Sequence, residues 1–226
     1  MNAPPKVVAF DVIETLFSLH GVRRRFEAAS LPAAQVEAWF AGLLRDAFAL
    51  EVTGVYVPFK PLAEASLDGL LAREKIDRKP GDAAQIIAGF GELDPHPDVQ
   101  PAFDLLRTAG IRIITVSNGS AATTGKILKA AGLDQYVQAI VSIDDMRHWK
   151  PAKEVYLHTA NIAKVSPAEI MLVAAHSWDV HGARRAGLRA AYLSREGKPF
   201  LTGMEEPEVQ GKTATALAAK IVHGDR

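Results

Sequence analysis

The sequence predicts an α/β protein: a parallel sheet with helices on both faces, plus an inserted helical domain. Short, nearly continuous apolar runs alternate with helical patterns in the second half of the chain, which is typical of parallel strands covered on both sides. A long all-helical stretch separates the first apolar run from the others. The 226 residues are 48% hydrophobic and 23% charged, the composition of an ordinary globular protein.

The first strand and the inserted domain account for the first 92 residues. Val7–Phe10 is a short apolar run with β-branched residues and predicts a buried strand. From Leu16 to about Phe90, apolar residues recur at helical spacings, with breaks at Gly54 and Pro58. We therefore predict a sheet domain made of residues 1–15 and 93–226, and a helical domain at residues 16–92.

Beyond a Pro-rich turn at residues 93–98, predicted helices and strands alternate. The helices cover residues 99–108, 122–131, 152–163, 180–186 and 214–222, and the strands cover 111–116, 139–142, 170–174 and 190–193. Residues 202–207 are polar and predict a loop. Because ligands of open parallel sheets bind at the carboxyl ends of the strands, polar residues at those ends are the functional candidates.

Composition excludes several functional classes. Lys+Arg and Asp+Glu are 26 each, so the formal net charge is +0, which disfavours nucleic-acid and anionic-membrane partners. The absence of cysteine excludes disulfides, thiol catalysis and zinc–thiolate sites. The apolar stretch that ends at Asp11 is too short to predict a signal peptide, and no apolar run is long enough to predict a bilayer span. We therefore expect a soluble cytoplasmic protein.

Polar side chains follow four of the predicted strands. In chain order they are Asp11 and Thr15, then Ser117 and Asn118, then Lys150, and finally His176 and Asp179. Each has a plain structural interpretation, since Asp caps helices and Ser-Asn-Gly forms turns. Their occurrence together at one edge of a parallel sheet favours an active site.

These residues resemble the motifs of the haloacid dehalogenase superfamily. FDVIETL at residues 10–16 looks like the first motif, with Asp11 as the nucleophile. Ser117-Asn118 looks like the second motif, Lys150-Pro151 like the third and Trp178-Asp179 like the fourth. The resemblance covers nearly the whole chain. It implies a Rossmann-like core domain, with the helical insertion as the cap domain of the superfamily.

Two positions indicate which branch of the superfamily the chain resembles. Magnesium-dependent phosphatases of the superfamily carry a general-acid Asp where this chain has Ile13, and a metal-binding acid where it has Ala175. The resemblance implies that the 2-haloacid dehalogenase branch needs neither, because halide leaves as a stable anion and no metal or other cofactor is used. KPAKEVY at residues 150–156 and SWD at residues 177–179 are similar to elements of that branch.

The resemblance implies hydrolysis of small 2-haloalkanoic acids to 2-hydroxyacids through an ester on Asp11. Lys150 is then expected to keep Asp11 ionised, and Thr15 to orient it. Asp179 is expected to orient Lys150 or to position the hydrolytic water, with Tyr156 bracing the pair.

The remaining roles implied by the resemblance concern the substrate. Ser117 and the backbone N–H groups near Val12 and Ile13 are expected to hold its carboxylate. Asn118 is expected to donate to the departing halide. The side chains of Ile13 and Trp178 are expected to exclude water from the nucleophile.

The chain departs from the family pattern in its cap. Well-known members have an Arg directly after a Trp, facing the halide, whereas Trp39 is followed here by Phe40. Arg45 lies five residues further on, about 140° around the helix, and can bind substrate only if the cap is seated differently. Its other interpretation is a solvated partner of Asp46 or Glu51. Phe40 either shapes an apolar pocket or packs in the core.

Two departures lie nearer the nucleophile. His176 stands where an Asn is usual and is expected to contact substrate or help to activate water, unless it is an ordinary hydrogen-bonded histidine. Glu14 stands where a Gly is common, and its side chain is expected to point away from the site.

The sequence is also compatible with two other functions. The same aspartate can serve hydrolysis of another small substrate, a phosphate or phosphonate, or the fold can be a non-catalytic binder of small carboxylates. The apolar residues Val55, Tyr56, Val57 and Phe59 form either a homodimer patch or part of the core.

Overall fold

The structure is a computed structural model that describes residues 3–77, 79 and 81–224. Within these residues a six-stranded sheet has the order β3-β2-β1-β4-β5-β6, and all its strand pairs are parallel. The strands are β1 (Val7–Phe10), β2 (Arg112–Ser117), β3 (Val137–Ser142), β4 (Ile170–Ala174), β5 (Arg189–Leu193) and β6 (Val209–Gly211). The predicted α/β fold is confirmed, and β6 is a strand that the sequence did not predict.

Five helices lie between β1 and β2 along the described chain, and the first four fall in the predicted helical domain: α1 (His20–Ala28), α2 (Val36–Val52), α3 (Phe59–Arg73) and α4 (Asp82–Ala88). The later helices are α5 (Val99–Thr108), α6 (Ala121–Ala130), α7 (Lys153–Ala163), α8 (Ser177–Arg185) and α9 (Ala214–His223). Among the described residues no helix has the length and apolar character needed to cross a bilayer. The division into core and cap domains remains a prediction.

The centre of the sheet explains where a ligand can bind. Side chains of β1 are 0–2% exposed and those of β4 are 0–1% exposed, as expected of strands covered on both faces. The sheet order changes direction between β1 and β4, because β2 and β3 lie on one side of β1 and β4 to β6 on the other. The carboxyl ends of β1 and β4 therefore flank the crevice in which open α/β sheets bind ligands.

Aromatic side chains pack the helices α1 to α4 against one another. The ring of Trp39 lies 5.5 Å from Phe26 and 5.9 Å from Phe90, and its Nε1–H donates to the carbonyl of Ala63 at 3.3 Å. Tilted ring pairs at these spacings add to the stabilisation from apolar burial. These rings are part of one buried apolar cluster that also includes the strands of the sheet.

A set of hydrogen bonds, here named the clasp, joins this helical segment to the loop after β3. Both carboxylate oxygens of Glu51 accept, one from the backbone N–H of Trp149 and one from His148 Nδ1, each at 2.8 Å. Trp149 Nε1–H donates to the carbonyl of Val57 at 2.9 Å, and the Tyr56 hydroxyl donates to Asp144. The clasp ends one residue before Lys150.

The clasp also bears on the proposed dimer patch. Tyr56 and Val57 bond to residues of the same chain, and Phe59 stacks on Trp149 with ring centroids 6.1 Å apart. Val55 remains 48% exposed. Three of the four residues thus have partners within the chain, and a homodimer remains a prediction.

Candidate active site

Asp11 is the first residue after β1, and its carboxylate is almost completely buried. The Thr15 hydroxyl donates to its Oδ2 at 2.6 Å, and the ammonium of Lys150 donates to its Oδ1 at 2.7 Å. Burial alone would raise the pKa of Asp11, but the positive charges of Lys150 and His176 outweigh it and hold the pKa well below its usual range. The carboxylate is therefore ionised and fixed in orientation.

A tight turn brings Thr15 back over Asp11. The backbone N–H groups of Leu16 and Phe17 both donate to the carbonyl of Val12, at 2.9 and 3.1 Å. The Thr15 hydroxyl oxygen in turn accepts the backbone N–H of Ala175 at 2.9 Å. One hydroxyl thus orients the nucleophile and ties the turn to the end of β4.

Lys150 is fully buried and has three oxygen partners. Its Nζ lies 2.7 Å from Asp11 Oδ1, 2.7 Å from Asp179 Oδ2 and 3.1 Å from the carbonyl of Val116. Burial would lower the pKa of Lys150, but the two carboxylates outweigh it and raise the pKa, so the ammonium stays charged. The site therefore has a fixed positive charge beside the nucleophile.

Asp179 binds the Lys150 ammonium and is itself held in position by Tyr156. The Tyr156 hydroxyl donates to Asp179 Oδ1 at 2.6 Å, so both carboxylate oxygens of Asp179 are engaged. Burial raises the pKa of Asp179. Burial and the neighbouring charge of Asp179 together raise the pKa of the Tyr156 hydroxyl. Asp179 is fully buried, a position that fits orienting Lys150 better than holding a water molecule against Asp11.

The end of β2 supplies an amide and a hydroxyl. Asn118 Oδ1 accepts the backbone N–H of Lys150 at 3.1 Å, which fixes the side chain and leaves its amide N–H groups to donate elsewhere. Ser117 Oγ accepts the backbone N–H of Gly119 at 2.9 Å. Its hydroxyl proton is then available to another acceptor.

A mainly apolar cavity of about 370 Å³, here named the apolar cavity, lies beside these strand ends. Val12, Ile13 and Ser117 line it from the sheet edge. Phe59, Ile87 and Phe90 line it from the helical segment, with Lys60 and Lys126 also in its lining. A concave apolar site with a few polar groups is the usual form of a small-molecule site.

His176 connects the nucleophile to Glu14. Its Nε2 lies 3.0 Å from Glu14 Oε2, and its Nδ1 lies 3.4 Å from Asp11 Oδ2. Burial alone would lower the pKa of His176, but the contacts with Asp11 and Glu14 outweigh it and raise the pKa to about 9. Against burial, the contact with His176 likewise lowers the pKa of Glu14.

The expected direction of Glu14 is wrong, because its side chain faces His176 rather than pointing away. Glu14 adopts φ 63°, in the left-handed region that favours glycine. This backbone conformation turns the side chain toward the end of β4. The sign of this left-handed backbone in the sequence was the presence of Glu at a position where the family commonly has Gly.

A second cavity of about 120 Å³, here named the polar cavity, reaches the same histidine. Glu14, Ala175 and His176 line it, together with Arg195 and Lys198. At about 30 Å³ per water molecule, it has room for a few waters. None of these residues lines the apolar cavity, so the two cavities have separate walls.

The structure does not bring Arg45 or Phe40 to the site. The side chain of Arg45 is 71% exposed and pairs with Asp46 at 2.7 Å, because it lies on the outer side of α2. Phe40 is buried against Phe90, with ring centroids 6.1 Å apart, and neither Phe40 nor Arg45 lines the apolar cavity. Their assignment to substrate binding is therefore corrected: one is an exposed ion-pair residue and the other a core residue.

Trp178 lies where the helical segment meets the site. Its ring is 5.2 Å from Phe48 of α2 and 5.2 Å from the imidazole of His176. The ammonium of Lys150 lies 5.7 Å from the centre of the same ring. This arrangement fits a side chain that excludes water from the buried charges. Among the described residues, no three His, Asp or Glu side chains are grouped so as to hold a metal ion.

The parallel sheet carries a buried Asp–Lys–Asp cluster at the carboxyl ends of its strands, an arrangement suited to catalysis by a carboxylate nucleophile. The family model described as haloacid dehalogenase-like hydrolase matches residues 5–187. The chain belongs to this family.

Individual proteins are also similar to this chain. It is 25% identical over 196 residues to (S)-2-haloacid dehalogenase 4A of Burkholderia cepacia, covering 86% of this chain and 85% of that protein. It is 26% identical over 199 residues to haloacetate dehalogenase H-2 of Moraxella sp. (strain B), covering 86% and 88%. The solved structure of L-2-haloacid dehalogenase from Xanthobacter autotrophicus with chloropropionic acid covalently bound has TM-score 0.89 and 22% identity, covering 98% of this chain and 100% of that chain.

Proposed function

We propose that the protein hydrolyses small 2-haloalkanoic acids to 2-hydroxyacids through an ester on Asp11. The observation that carries the proposal is the buried, ionised carboxylate of Asp11, held by Lys150 and Thr15 beside an apolar cavity. The names of the similar proteins, which are 2-haloacid and haloacetate dehalogenases, support this choice of substrate.

In the first half-reaction, an oxygen of Asp11 attacks the carbon that carries the halogen. A carbon–oxygen bond forms, the carbon–halogen bond breaks, and halide leaves with the bonding electron pair. Lys150 keeps Asp11 ionised until the attack. Water exclusion by Ile13 and Trp178 leaves the carboxylate poorly hydrated and therefore more reactive.

The leaving group must be stable as an anion. Ile13 stands where a phosphatase would carry its general acid, and an isoleucine side chain has no proton to donate. The amide N–H groups of Asn118 are the proposed donors to the halide, since its Oδ1 already accepts from the backbone N–H of Lys150. Ser117 and the backbone near Val12 and Ile13 are the proposed partners of the substrate carboxylate.

In the second half-reaction, water attacks the Asp11 carbonyl carbon and the bond from that carbon to the ester oxygen breaks. The 2-hydroxyacid leaves with an oxygen that came from Asp11, and the carboxylate is restored with an oxygen from water. The balanced result is one haloacid and one water giving one hydroxyacid, one halide and one proton.

The test is halide release in EDTA from chloroacetate, fluoroacetate and both enantiomers of 2-chloropropionate, with Asp11→Asn as the inactive control. We expect release by the wild type and none by the variant, because the amide is not a nucleophile. Single turnover in H₂¹⁸O should give unlabelled hydroxyacid and put the label in Asp11. A labelled product would instead mean direct attack by water and would exclude the ester.

A negative result also has a defined meaning. If no haloacid releases halide while Mg²⁺ supports release of phosphate from phosphate esters, the nucleophile serves phosphoryl transfer. If neither reaction occurs and Asp11→Asn still binds small carboxylates, the protein is a binder.

A further inference from the structure

The first half-reaction gives no role to His176, whose side chain is 17% exposed. His176 touches the nucleophile on one side and Glu14 on the other, and it forms a wall of the polar cavity. We propose that His176 is the general base that activates water for hydrolysis of the Asp11 ester, with Glu14 as its positioning residue and the polar cavity as the water supply. This inference rests on the proposed function.

The two ring nitrogens of His176 have different environments. Nε2 is engaged with Glu14 Oε2 at 3.0 Å. Nδ1 is buried and makes no hydrogen bond to the part of the chain that is described, and it lies 3.4 Å from Asp11 Oδ2. A carboxylate at Nε2 favours the tautomer with the proton on Nε2, which leaves a lone pair on Nδ1 facing the carboxyl group that becomes the ester.

This geometry suits attack on the ester carbonyl. In the free enzyme Nδ1 has no exposed surface, and the 3.4 Å between it and Asp11 Oδ2 leaves no room for a water. Water activation therefore requires the imidazole to shift toward the polar cavity in the ester, so that a water bound to Nδ1 at about 2.8 Å lies beside the Asp11 carboxyl group. The polar cavity shares no lining residue with the apolar cavity, and His176 but not Asp11 lines it. Water from this cavity would therefore reach the ester by way of the His176 side chain while substrate occupies the apolar cavity. The backbone of Glu14 is held in a left-handed conformation that costs a non-glycine residue free energy. Such strain is common at functional sites.

The charge of Asp11 decides when His176 can act as a base. In the free enzyme the Asp11 carboxylate favours the protonated imidazole, which cannot accept a proton from water. Esterification removes that negative charge, and burial then favours the neutral ring. Besides Asp11 and Glu14, the charged or titratable groups around the ring are Lys150 behind Asp11, Lys198 at 3.7 Å from Glu14 and, in the lining of the polar cavity, Arg23, Arg195, Glu37, Glu196, His20 and His96. The two lysines and two arginines favour the neutral ring, whereas Glu37 and Glu196 favour the protonated ring.

The protons balance over the cycle. After halide leaves, His176 releases its proton through the polar cavity. It then takes a proton from the attacking water as the new carbon–oxygen bond forms. It gives that proton to the alkoxide oxygen of the product as the tetrahedral intermediate collapses. The Asp11 carboxylic acid finally ionises and re-protonates His176.

The first experiment separates the two half-reactions by rapid quench with 2-chloropropionate. His176→Asn and His176→Gln should keep the first-turnover halide burst within about twofold and slow ester hydrolysis by about 100-fold or more. Mass spectrometry should then find the ester on the peptide that contains Asp11. His181→Gln, on the same helix, is the matched control and should change neither rate.

Equal slowing of both steps, with no ester accumulated, would overturn the proposal. Glu14→Gln should reduce ester hydrolysis less and shift its pH profile, because an amide still accepts from Nε2 but carries no charge. An unchanged profile would remove Glu14 from the positioning role.

The second experiment does not need turnover. Nitrogen-15 NMR of the wild type and Asp11→Asn should follow the titration of His176, with Asn standing in for the uncharged ester. We expect the pKa to fall by at least about one pH unit in the variant. An unchanged pKa would refute the charge coupling even if haloacids are substrates. A fall in a protein without dehalogenase activity would refute the proposed function alone.

Discussion

At the residue scale, Asp11 and His176 each favour the charged form of the other. The carboxylate raises the pKa of the imidazole, and the imidazolium lowers that of the carboxyl. Such coupling links stability to pH, because the unfolded chain lacks these contacts. The site is therefore best ordered in a pH range where both groups are charged.

The pH dependence of folding tests this coupling. The folded pKa of His176 is about 9, above its ordinary value of 6.5, so its contribution is full below pH 6.5 and is lost as the pH rises toward 9. We expect this contribution to the free energy of unfolding to be up to about 3 kcal/mol. Urea unfolding at pH 6, 7.5 and 9.5 should show the loss in the wild type and in His181→Gln. The same loss in His176→Gln would contradict this assignment.

Much of the site could be predicted at this scale. Asp11, Asn118, Lys150 and Asp179 follow strands, and parallel strands bring their carboxyl ends together whatever the details of packing. The direction of Glu14 depends on a positive φ, which glutamate rarely adopts and for which the sequence offers one sign, the position's resemblance to a common family glycine. The place of Arg45 depends on how α2 is rotated against its neighbours, which a single sequence does not specify.

At the scale of elements, α7 and α8 approach closely where they hold Lys150. A Cβ on Gly182 would lie 2.6 Å from Pro151 Cβ and 2.7 Å from Tyr156 Oη, so only glycine fits without a shift. Sequence patterns predicted α8 at residues 180–186, but it begins at Ser177. The first turn contains Trp178 and Asp179, whose partners are distant in sequence. The strand β6 was missed because it has three residues, one of them Gly211.

A pair of glycine substitutions tests the helix contact. Gly182→Ala should displace Tyr156, lower the free energy of unfolding by about 1–3 kcal/mol and reduce halide release at least tenfold. Gly69→Ala, in the interior of α3 with no atom near its Cβ position, should instead stabilise the protein by about 0.5–1 kcal/mol. Thermal unfolding measures the change in stability of each variant, and initial rates measure the change in halide release. Equal effects would mean that the close approach is unimportant.

At the scale of the whole molecule, the apolar cavity exists because the helical segment is held against the sheet. The clasp supplies part of that attachment through Glu51, which accepts from both His148 and Trp149. Since Lys150 follows Trp149 directly, the position of the helical segment and that of the buried ammonium are set together.

Removal of Glu51 tests the clasp. Glu51→Ala leaves the backbone N–H of the fully buried Trp149 without its acceptor, which should cost about 1–3 kcal/mol of unfolding free energy. The looser cavity wall should raise KM more than it lowers kcat. Glu74→Ala, at an exposed pair with Arg73, should stay within about 0.5 kcal/mol of wild type. An unchanged KM in Glu51→Ala would show that the clasp does not affect substrate binding.

The complete burial of Lys150 has a consequence for chemical labelling. Amine-reactive reagents need an accessible, deprotonated amine, and this one is enclosed by three oxygen acceptors and has a raised pKa. Lys60 and Lys126, in the lining of the apolar cavity, are exposed to reagent. Acylation should therefore modify those two lysines while the fold is intact and reach Lys150 only in molecules that have opened. The ratio of acylated Lys150 peptide to acylated Lys60 and Lys126 peptides, measured by mass spectrometry, would therefore report the fraction of molecules that have opened.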